Sequence, residues 1–515
     1  MPISHPPTIE ELEHRRLAEV TKDWSTANGL VVRPPPAVVS SEADPLGILA
    51  TSVPVTLFPS PFPELCFEQA KNVQKTYNEL YARISQDEQF IGRIVKEVVD
   101  GDEFIGHLWN IHERVQQEGY VQDLSLGMFR SDYMVHQDLN STSSKPQIKQ
   151  VEFNTIASSF GGLSSKTSAL HKFLATTEYP LLKKNSVHTS WNLPHNGSAQ
   201  GLANGLRTAW RAYGKSELGH ETCVIFLVQG VERNVYDQRH VEYELQVTGN
   251  TPVFRLAFAE ITERTSIANA DKRQLLYHPP ANPSAAFEVA VVYFRAGYGP
   301  SDYPDACAWD ARYHLERSAA IKCPTVLTQL AGMKKVQQVL ATPKVGSDTS
   351  SVLGRFIPED GDNADAFSAL WATFTNIFPM DHSAEGALAR KLALDAEDCK
   401  RYVLKPQREG GGNNHYRTTI PTYLRSVPES HWSSYILMEL ITPPPVTNTI
   451  LRNGQLEQGG VICELGRFGT CLWDQRTRKI LHNEDAGYLL RTKGDQSEEG
   501  GVAAGFGCMD SCNLV

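Results

Sequence analysis

No run of about 18 apolar residues occurs anywhere in the 515-residue chain, which argues against a membrane-spanning helix. The opening MPISHPPTIEELEHRR has no apolar core behind a basic head, so a cytoplasmic protein is expected. Basic charge is also short. With 49 Lys and Arg against 59 Asp and Glu the net charge is −10, and no strongly basic segment offers nucleic acid a footing. Any anionic substrate must therefore be met by local clusters of cations. The nine cysteines are scattered, and the closest pair, Cys508 and Cys512, is too isolated for a zinc site. Reduced structural thiols are expected. Gly-x-x-x-x-Gly-Lys-Ser/Thr is missing, which excludes a P-loop enzyme, and so are the HRD and DFG of protein kinases, the Gly-x-Ser-x-Gly elbow and His-Glu-x-x-His.

What is present is the composition of a soluble globular protein, 41% hydrophobic and 21% charged. The length suits about two to four domains. Pro- and Ser-rich sequence fills the first sixty or so residues, expected to wrap the surface after one short opening helix. Apolar positions at Ala70, Val73, Tyr77, Leu80 and Ile84, then Ile91, Ile94, Val95 and Val98, recur at helical spacing. From Glu221 the texture changes. Strand-like Cys223–Val228, a helical stretch from about Asp237 to Leu245, and strand-like Thr251–Phe258 and Val289–Phe294 read as a parallel α/β unit inserted over 221–330. Further on, helices are expected at Phe367–Phe378 and Ala384–Lys400, and strands at Tyr402–Lys405, Tyr435–Ile441 and Val461–Leu465.

The richest chemistry lies in KPQREGGGNN, Lys405 to Asn414. Three consecutive glycines after a buried strand free the backbone to adopt positive φ and to turn N–H groups toward phosphate oxygens. Lys405 can meet phosphate as a point charge, but Glu409 would repel it unless a divalent cation stood between them. Taken alone, the run is better read as a charged hairpin tip. In QVEFNT, strand alternation places Glu152 and Asn154 on one face, two oxygen donors of the kind Mg²⁺ takes, followed by the small-residue turn Ala157-Ser-Ser-Phe-Gly-Gly162. Arg130-Ser-Asp-Tyr133 sets a guanidinium beside a carboxylate, which by itself reads as a structural ion pair. Glu232-Arg-Asn-Val-Tyr-Asp-Gln238 and Phe294-Arg-Ala-Gly-Tyr298 follow buried strands, where open α/β sheets bind ligands. Lys334 opens a helix after Ala-Gly, and Arg491-Thr-Lys493 precedes a Gly/Ala-rich loop.

Together VEFNTIASSFGG, ERNVYDQR, VVYFRAGY, QLAGMKKVQQ, KPQREGGGNN, YILMEL, LLRTK and GGVAAG closely resemble the eukaryotic glutathione synthetase family of the ATP-grasp superfamily, from about Phe62 to the last few residues. The resemblance implies a mixed α/β fold, an ATP-grasp core with an inserted parallel α/β substrate-binding domain and a glycine-rich lid. The implied division is 1–220 as an N-terminal helical part and first core segment, 221–330 as the insert, and 331–515 as the rest of the core, with the lid at about 375–450.

By position the resemblance implies Mg²⁺ ligands at Glu152, Asn154 and Glu409, with two ions per site expected. It implies ATP contacts at Glu152, Lys334, Lys405, Glu409, Gly410, Gly411, Gly412, Asn413, Asn414, Tyr416, Met438, Glu439, Leu440, Ile441, Glu464, Lys493 and Glu499. Met438 and Ile441 would flank the adenine, and Glu464 would receive a ribose hydroxyl. Peptide and glycine contacts would come from Arg130, Ile156, Ala157, Ser158, Ser159, Glu232, Arg233, Asn234, Gln238, Arg295, Ala296, Gly297, Tyr298, Arg491, Val502 and Ala503. Arg130, Lys334, Lys405, Gly410 and Gly411 would serve catalysis. Three positions depart from the family pattern: Ala157 where Ser is common, Ala296 for an acidic residue, and Leu440 for Lys. The implied reaction is ATP-dependent ligation of γ-glutamylcysteine and glycine in a homodimer. Val502-Ala503-Ala504 resembles the form that accepts glycine rather than β-alanine. A related ligase with another acceptor, and a silent binding protein that keeps the fold, are the competing readings.

Overall fold

A computed structural model describes residues 5–7, 11–36, 38–40, 42–137, 145–176, 191–343, 351–410, 412–498, 502 and 507–515. Gly411, Glu499 and Ala503 lie outside these residues. The opening helix is longer than expected, Glu11–Ala27. Helix Glu64–Ser85 buries Ala70, Val73, Tyr77, Leu80 and Ile84, the stripe its spacing foretells. Asp87 and Asp102 then cap the helices Glu88–Val98 and Glu103–Glu118 through the Phe90 and Ile105 N–H groups.

The largest sheet has seven strands in the order Val446–Arg452, Val55–Thr56, Gly507–Asp510, Ile480–Gly494, Gln455–Asp474, Leu124–His136 and Gln147–Asn154. Its first strand also pairs with Gln455–Asp474, so that end of the sheet curls back on itself. Gln455–Asp474 runs far beyond the expected Val461–Leu465. Helix Glu64–Ser85 packs on this sheet, with Tyr77 and Tyr81 stacked on Phe153.

A second sheet is built wholly between Glu221 and Cys323. Glu221–Val228 lies parallel to both Val253–Ala257 and Phe287–Phe294, and Ile321–Cys323 is parallel to Phe287–Phe294. The parallel unit read from the sequence is present, with a short antiparallel edge, Leu275–Tyr277 and Thr265–Ile267. The third sheet is antiparallel, ordered Ile377–Pro379, Ile436–Glu439, Tyr402–Lys405 and His415–Tyr416. Ile377–Pro379 corrects the helix expected over Phe367–Phe378, which stops at Trp371. Phe374, Ile377 and Phe378 fit helical spacing, but pairing with Ile436–Met438 makes the segment an edge strand.

Candidate active site

The three larger sheets contribute to one cavity of about 890 Å³. The seven-stranded sheet supplies Arg130, Glu152, Asn154, Glu464, Arg491 and Lys493; the antiparallel sheet supplies Val403, Lys405, Tyr416 and Met438; the ends of two adjacent parallel strands supply Glu232, Asn234, Arg295 and Tyr298. The strand-end position of the two polar loops is what brings them together.

Near the centre stands a group of buried ions. Lys334, first residue of helix Lys334–Leu340, places Nζ 3.2 Å from Glu152 Oε2 and 3.6 Å from Glu409 Oε2. Strand Gln147–Asn154 brings Glu152, and the turn after Tyr402–Lys405 brings Glu409, although the two are far apart in sequence. Lys405 Nζ donates to the Val151 carbonyl at 2.8 Å. Burial would raise the Glu152 carboxyl, but Lys334, then Lys405, Arg491 and Arg130, hold it well below the carboxylate range. Burial, with the Glu152 charge alongside, pushes Glu409 up to about 7 in spite of Lys334. Burial likewise brings Lys405 down to about 8, and Glu152 and Glu409 hold Lys334 above an ordinary lysine against the same burial.

The cluster fits a hard divalent cation. Glu409 Oε2 is buried with no hydrogen-bond partner, and the amide nitrogen of Asn154 donates to the Arg130 carbonyl (3.2 Å) and Asp132 (3.1 Å), which leaves its oxygen as the free end of the amide. Among the described residues no three His, Cys, Asp or Glu gather to hold a metal. The donors are therefore two carboxylates and an amide, an incomplete oxygen set that substrate phosphates and water would fill, as is usual for Mg²⁺.

On the antiparallel sheet Val403 and Met438 pack with Tyr416, Leu440 and Ile441 as an apolar slot, which Ile462 of the large sheet faces. Leu440 is held by its backbone, its N–H donating to the Arg401 carbonyl at 2.8 Å. The turn that carries the glycines is anchored at its base. Gln407 accepts from the Lys335 N–H (2.9 Å) and donates to the Ser434 carbonyl (2.8 Å), and Arg408 pairs with Asp102. Gly410 and Gly412 have φ of 84° and 91°, and a Cβ on either would meet nothing within 4 Å, so they are required for conformation and not for space.

At the other end the Ala157–Gly162 turn is held by ions. Arg295 donates to the carbonyls of Ala157 (2.9 Å) and Ser158 (2.8 Å). Asp237 accepts from the N–H groups of Phe160 (2.7 Å), Gly162 (2.7 Å) and Leu163 (3.1 Å), capping helix Gly161–Thr176. Ala157 and Phe160 have φ of 51° and 73°, backbone strain concentrated where Ile156, Ser158 and Ser159 form the wall. Glu232 accepts from the Asn234 N–H and the Gln238 amide, both at 2.7 Å.

Most expected site residues meet at this cavity, including Gly410, Asn413, Asn414, Glu439, Leu440, Ile441 and Val502. Several stand elsewhere. Lys334 lies behind the two carboxylates and Gly412 off the wall, and Gln238 reaches it only through Glu232. Arg233 is turned to the N-terminal segment, its Nε donating to the Arg33 carbonyl at 3.4 Å. Ala296 is in the core, and Gly297 is held by Asp302 and Gln329. For Ala296 the buried site explains a small residue: the FRAGY run places its Arg and Tyr at the wall and its Ala inside. Asp132, Asp237 and Asp302 organise the site but were not singled out for it. Asp132 carries a signal, two residues from Arg130 on one strand face, and Asp237 lies inside the polar loop Glu232–Gln238.

An apolar slot beside paired carboxylates and buried lysines defines an ATP-binding enzyme of mixed α/β build. The family model for the eukaryotic glutathione synthase ATP binding domain matches residues 11–514. The chain belongs to the eukaryotic glutathione synthase family. It is 38% identical to the glutathione synthetase large chain of Schizosaccharomyces pombe over 98% of both chains. It is 39% identical to glutathione synthetase of Xenopus laevis (97% of this chain, 96% of the relative), and 38% identical to that of Homo sapiens over 96% of each. A solved structure of a glutathione synthetase-like effector from Globodera pallida, in its apo form, shares the fold at TM-score 0.73 and 22% identity, covering all of both chains. No described helix is long and apolar enough to cross a membrane.

Proposed function

We propose that the protein joins γ-glutamylcysteine to glycine, forming glutathione, ADP and phosphate. The observation that carries this reading is the sequence of environments along one cavity: apolar slot, carboxylate and lysine cluster, then the guanidiniums of Arg130, Arg491 and Arg295 around the Ala157–Gly162 turn. Adenine would lie against Met438 and Ile441, with Glu464 at the ribose. Lys405 and the glycine turn would meet the phosphates, with Lys334 acting on them from behind Glu152 and Glu409. Glu152, Asn154 and Glu409 would hold Mg²⁺, two ions per site being proposed, which when bound would neutralise phosphate oxygens. Arg130, Arg491, Ser158, Ser159 and Glu232 would take the peptide substrates.

A carboxylate resists an amine because its oxygen is a poor leaving group. The cysteinyl carboxylate of γ-glutamylcysteine therefore attacks the γ-phosphorus, ADP departs, and an acyl phosphate results. The free amine of glycine then attacks the acyl carbon, phosphate leaves with the bonding pair, and the surplus amine proton is released. The chain's part is placement and charge, with Arg130 and Lys405 facing the developing anions and Lys334 adding its charge from behind Glu152 and Glu409. Water would destroy the acyl phosphate, so the turn at Gly410–Gly412, anchored at its base, would close over it. Val502 is buried at the wall, and the resemblance of Val502-Ala503-Ala504 to the glycine-accepting form supports glycine over β-alanine as acceptor. Resemblance to the family alone carries the further reading of a cytoplasmic homodimer, open to test by sedimentation. ADP release that requires both γ-glutamylcysteine and glycine tests the reaction. Release with other acceptors but not glycine would replace it by a related ligase.

A further inference from the structure

We infer that Asp132 is a positioning residue that couples the peptide end of the cavity to its cation end; the inference rests on the reaction proposed above. Asp132 is fully buried and lies behind the wall formed by Arg130, Asn154 and Arg491. Its Oδ1 accepts from Arg130 Nε at 2.6 Å. Its Oδ2 accepts from three groups on three strands: Arg130 Nη2 at 2.8 Å, Arg491 Nη2 at 3.0 Å and Asn154 Nδ2 at 3.1 Å. Two of these are guanidiniums proposed to hold substrate carboxylates. The third is the amide whose oxygen is proposed to reach the metal.

Both Asp132 oxygens thus face only donors, and a carboxylate is the one side chain of this shape that accepts at both ends. An amide in its place would turn N–H toward at least one N–H. Asn154 is the neutral member of the three, and its Nδ2 is shared between Asp132 Oδ2 and the Arg130 carbonyl (3.2 Å). With the amide no longer held from the Asp132 side, its oxygen would shift from the place proposed for the cation. The orientation of Asn154, and with it the metal site, therefore depends on the same carboxylate that aligns Arg130 and Arg491.

The strand opposite makes room for this arrangement. Gly466 pairs with Asp132 in register, and a Cβ there would stand 2.8 Å from Asp132 Oδ1 and 2.9 Å from Arg130 Cδ. Gly466→Ala therefore displaces the pair while leaving every charge and hydrogen-bonding group in place.

The test uses the full-length protein and reads Mn²⁺ binding in the presence of a non-hydrolysable ATP analogue, by the paramagnetic signal of free Mn²⁺, beside the KM for both peptide substrates. Asp132→Asn is expected to weaken Mn²⁺ about tenfold and to raise the KM of at least one peptide substrate about tenfold, while affinity for the analogue without metal changes less than twofold. Gly466→Ala is expected to move the same two quantities together by about threefold, and it decides the matter if Asp132→Asn does not fold. A folded variant in which only one quantity moves, or neither, overturns the inference. Wild-type protein that releases no ADP with both substrates overturns the proposed reaction instead, so the two failures are distinct.

Discussion

Two fully buried aspartates on one sheet are neutralised in opposite ways. Asp132 meets two guanidiniums and an amide. Asp510, on strand Gly507–Asp510, meets no cation among the described residues: the hydroxyls of Thr56 (2.7 Å), Ser60 (2.6 Å) and Thr492 (2.7 Å) and the N–H of Ser511 (2.7 Å) surround it. Burial pushes the Asp510 carboxyl up to about 6, because neutral donors only partly replace water around the charge. Arginines beside Asp132 keep donors that can also reach substrate, whereas the hydroxyls around Asp510 are spent on it. One cluster is built for chemistry, and the other clasps the C-terminal strands to Val55–Thr56 and Ser60–Phe62.

The largest effect should come from Asp132→Ala, which leaves two buried guanidiniums short of a counter-charge. Unfolding in urea should show a loss of about 3–5 kcal/mol, with turnover abolished. A loss below about 1 kcal/mol would mean that water, not Asp132, balances the arginines.

Asp510→Asn sharpens the other side through pH. The folded-state pKa is raised from 3.8 to about 6, so the contribution of Asp510 to stability is fully present below pH 4 and lost as pH rises through 6. The wild-type stability minus that of the variant should therefore fall by on the order of 3 kcal/mol between pH 4 and pH 7. A flat difference curve would place the Asp510 pKa near its ordinary value.

Gly410→Val should lower turnover severalfold, since φ of 84° disfavours a β-branched residue by roughly 1–2 kcal/mol, while the midpoint of thermal unfolding shifts little. Unchanged turnover would remove the turn from the mechanism. Ser60→Ala should cost about 1–2 kcal/mol and leave turnover within twofold, since it touches only the clasp. Smallest of all, Leu440→Lys should change the KM for ATP less than threefold, because that residue is fixed by its backbone.

Much of the site was legible where local pattern and local structure coincide. Alternation in QVEFNT placed Glu152 and Asn154, the glycines announced positive φ, and the polar loops after Val228 and Phe294 fell at neighbouring parallel strand ends. Spacing alone could not bring Glu409 to Glu152, since that meeting depends on how two sheets are placed; resemblance supplied it. Strand Leu124–His136 escaped notice because it is buried on both faces along most of its length and has no alternation to read. The role of Asp132 was hidden for a related reason. The Arg130 pair is local, but Asn154 and Arg491 arrive from other strands, and only the assembled sheet shows one carboxylate serving all three.

The central claim is the reaction, and ADP release from the purified protein with Mg²⁺ and ATP tests it most directly. The account predicts release only when γ-glutamylcysteine and glycine are both present, with glutathione formed in equal amount. Release without glycine, or no release with both, would contradict it.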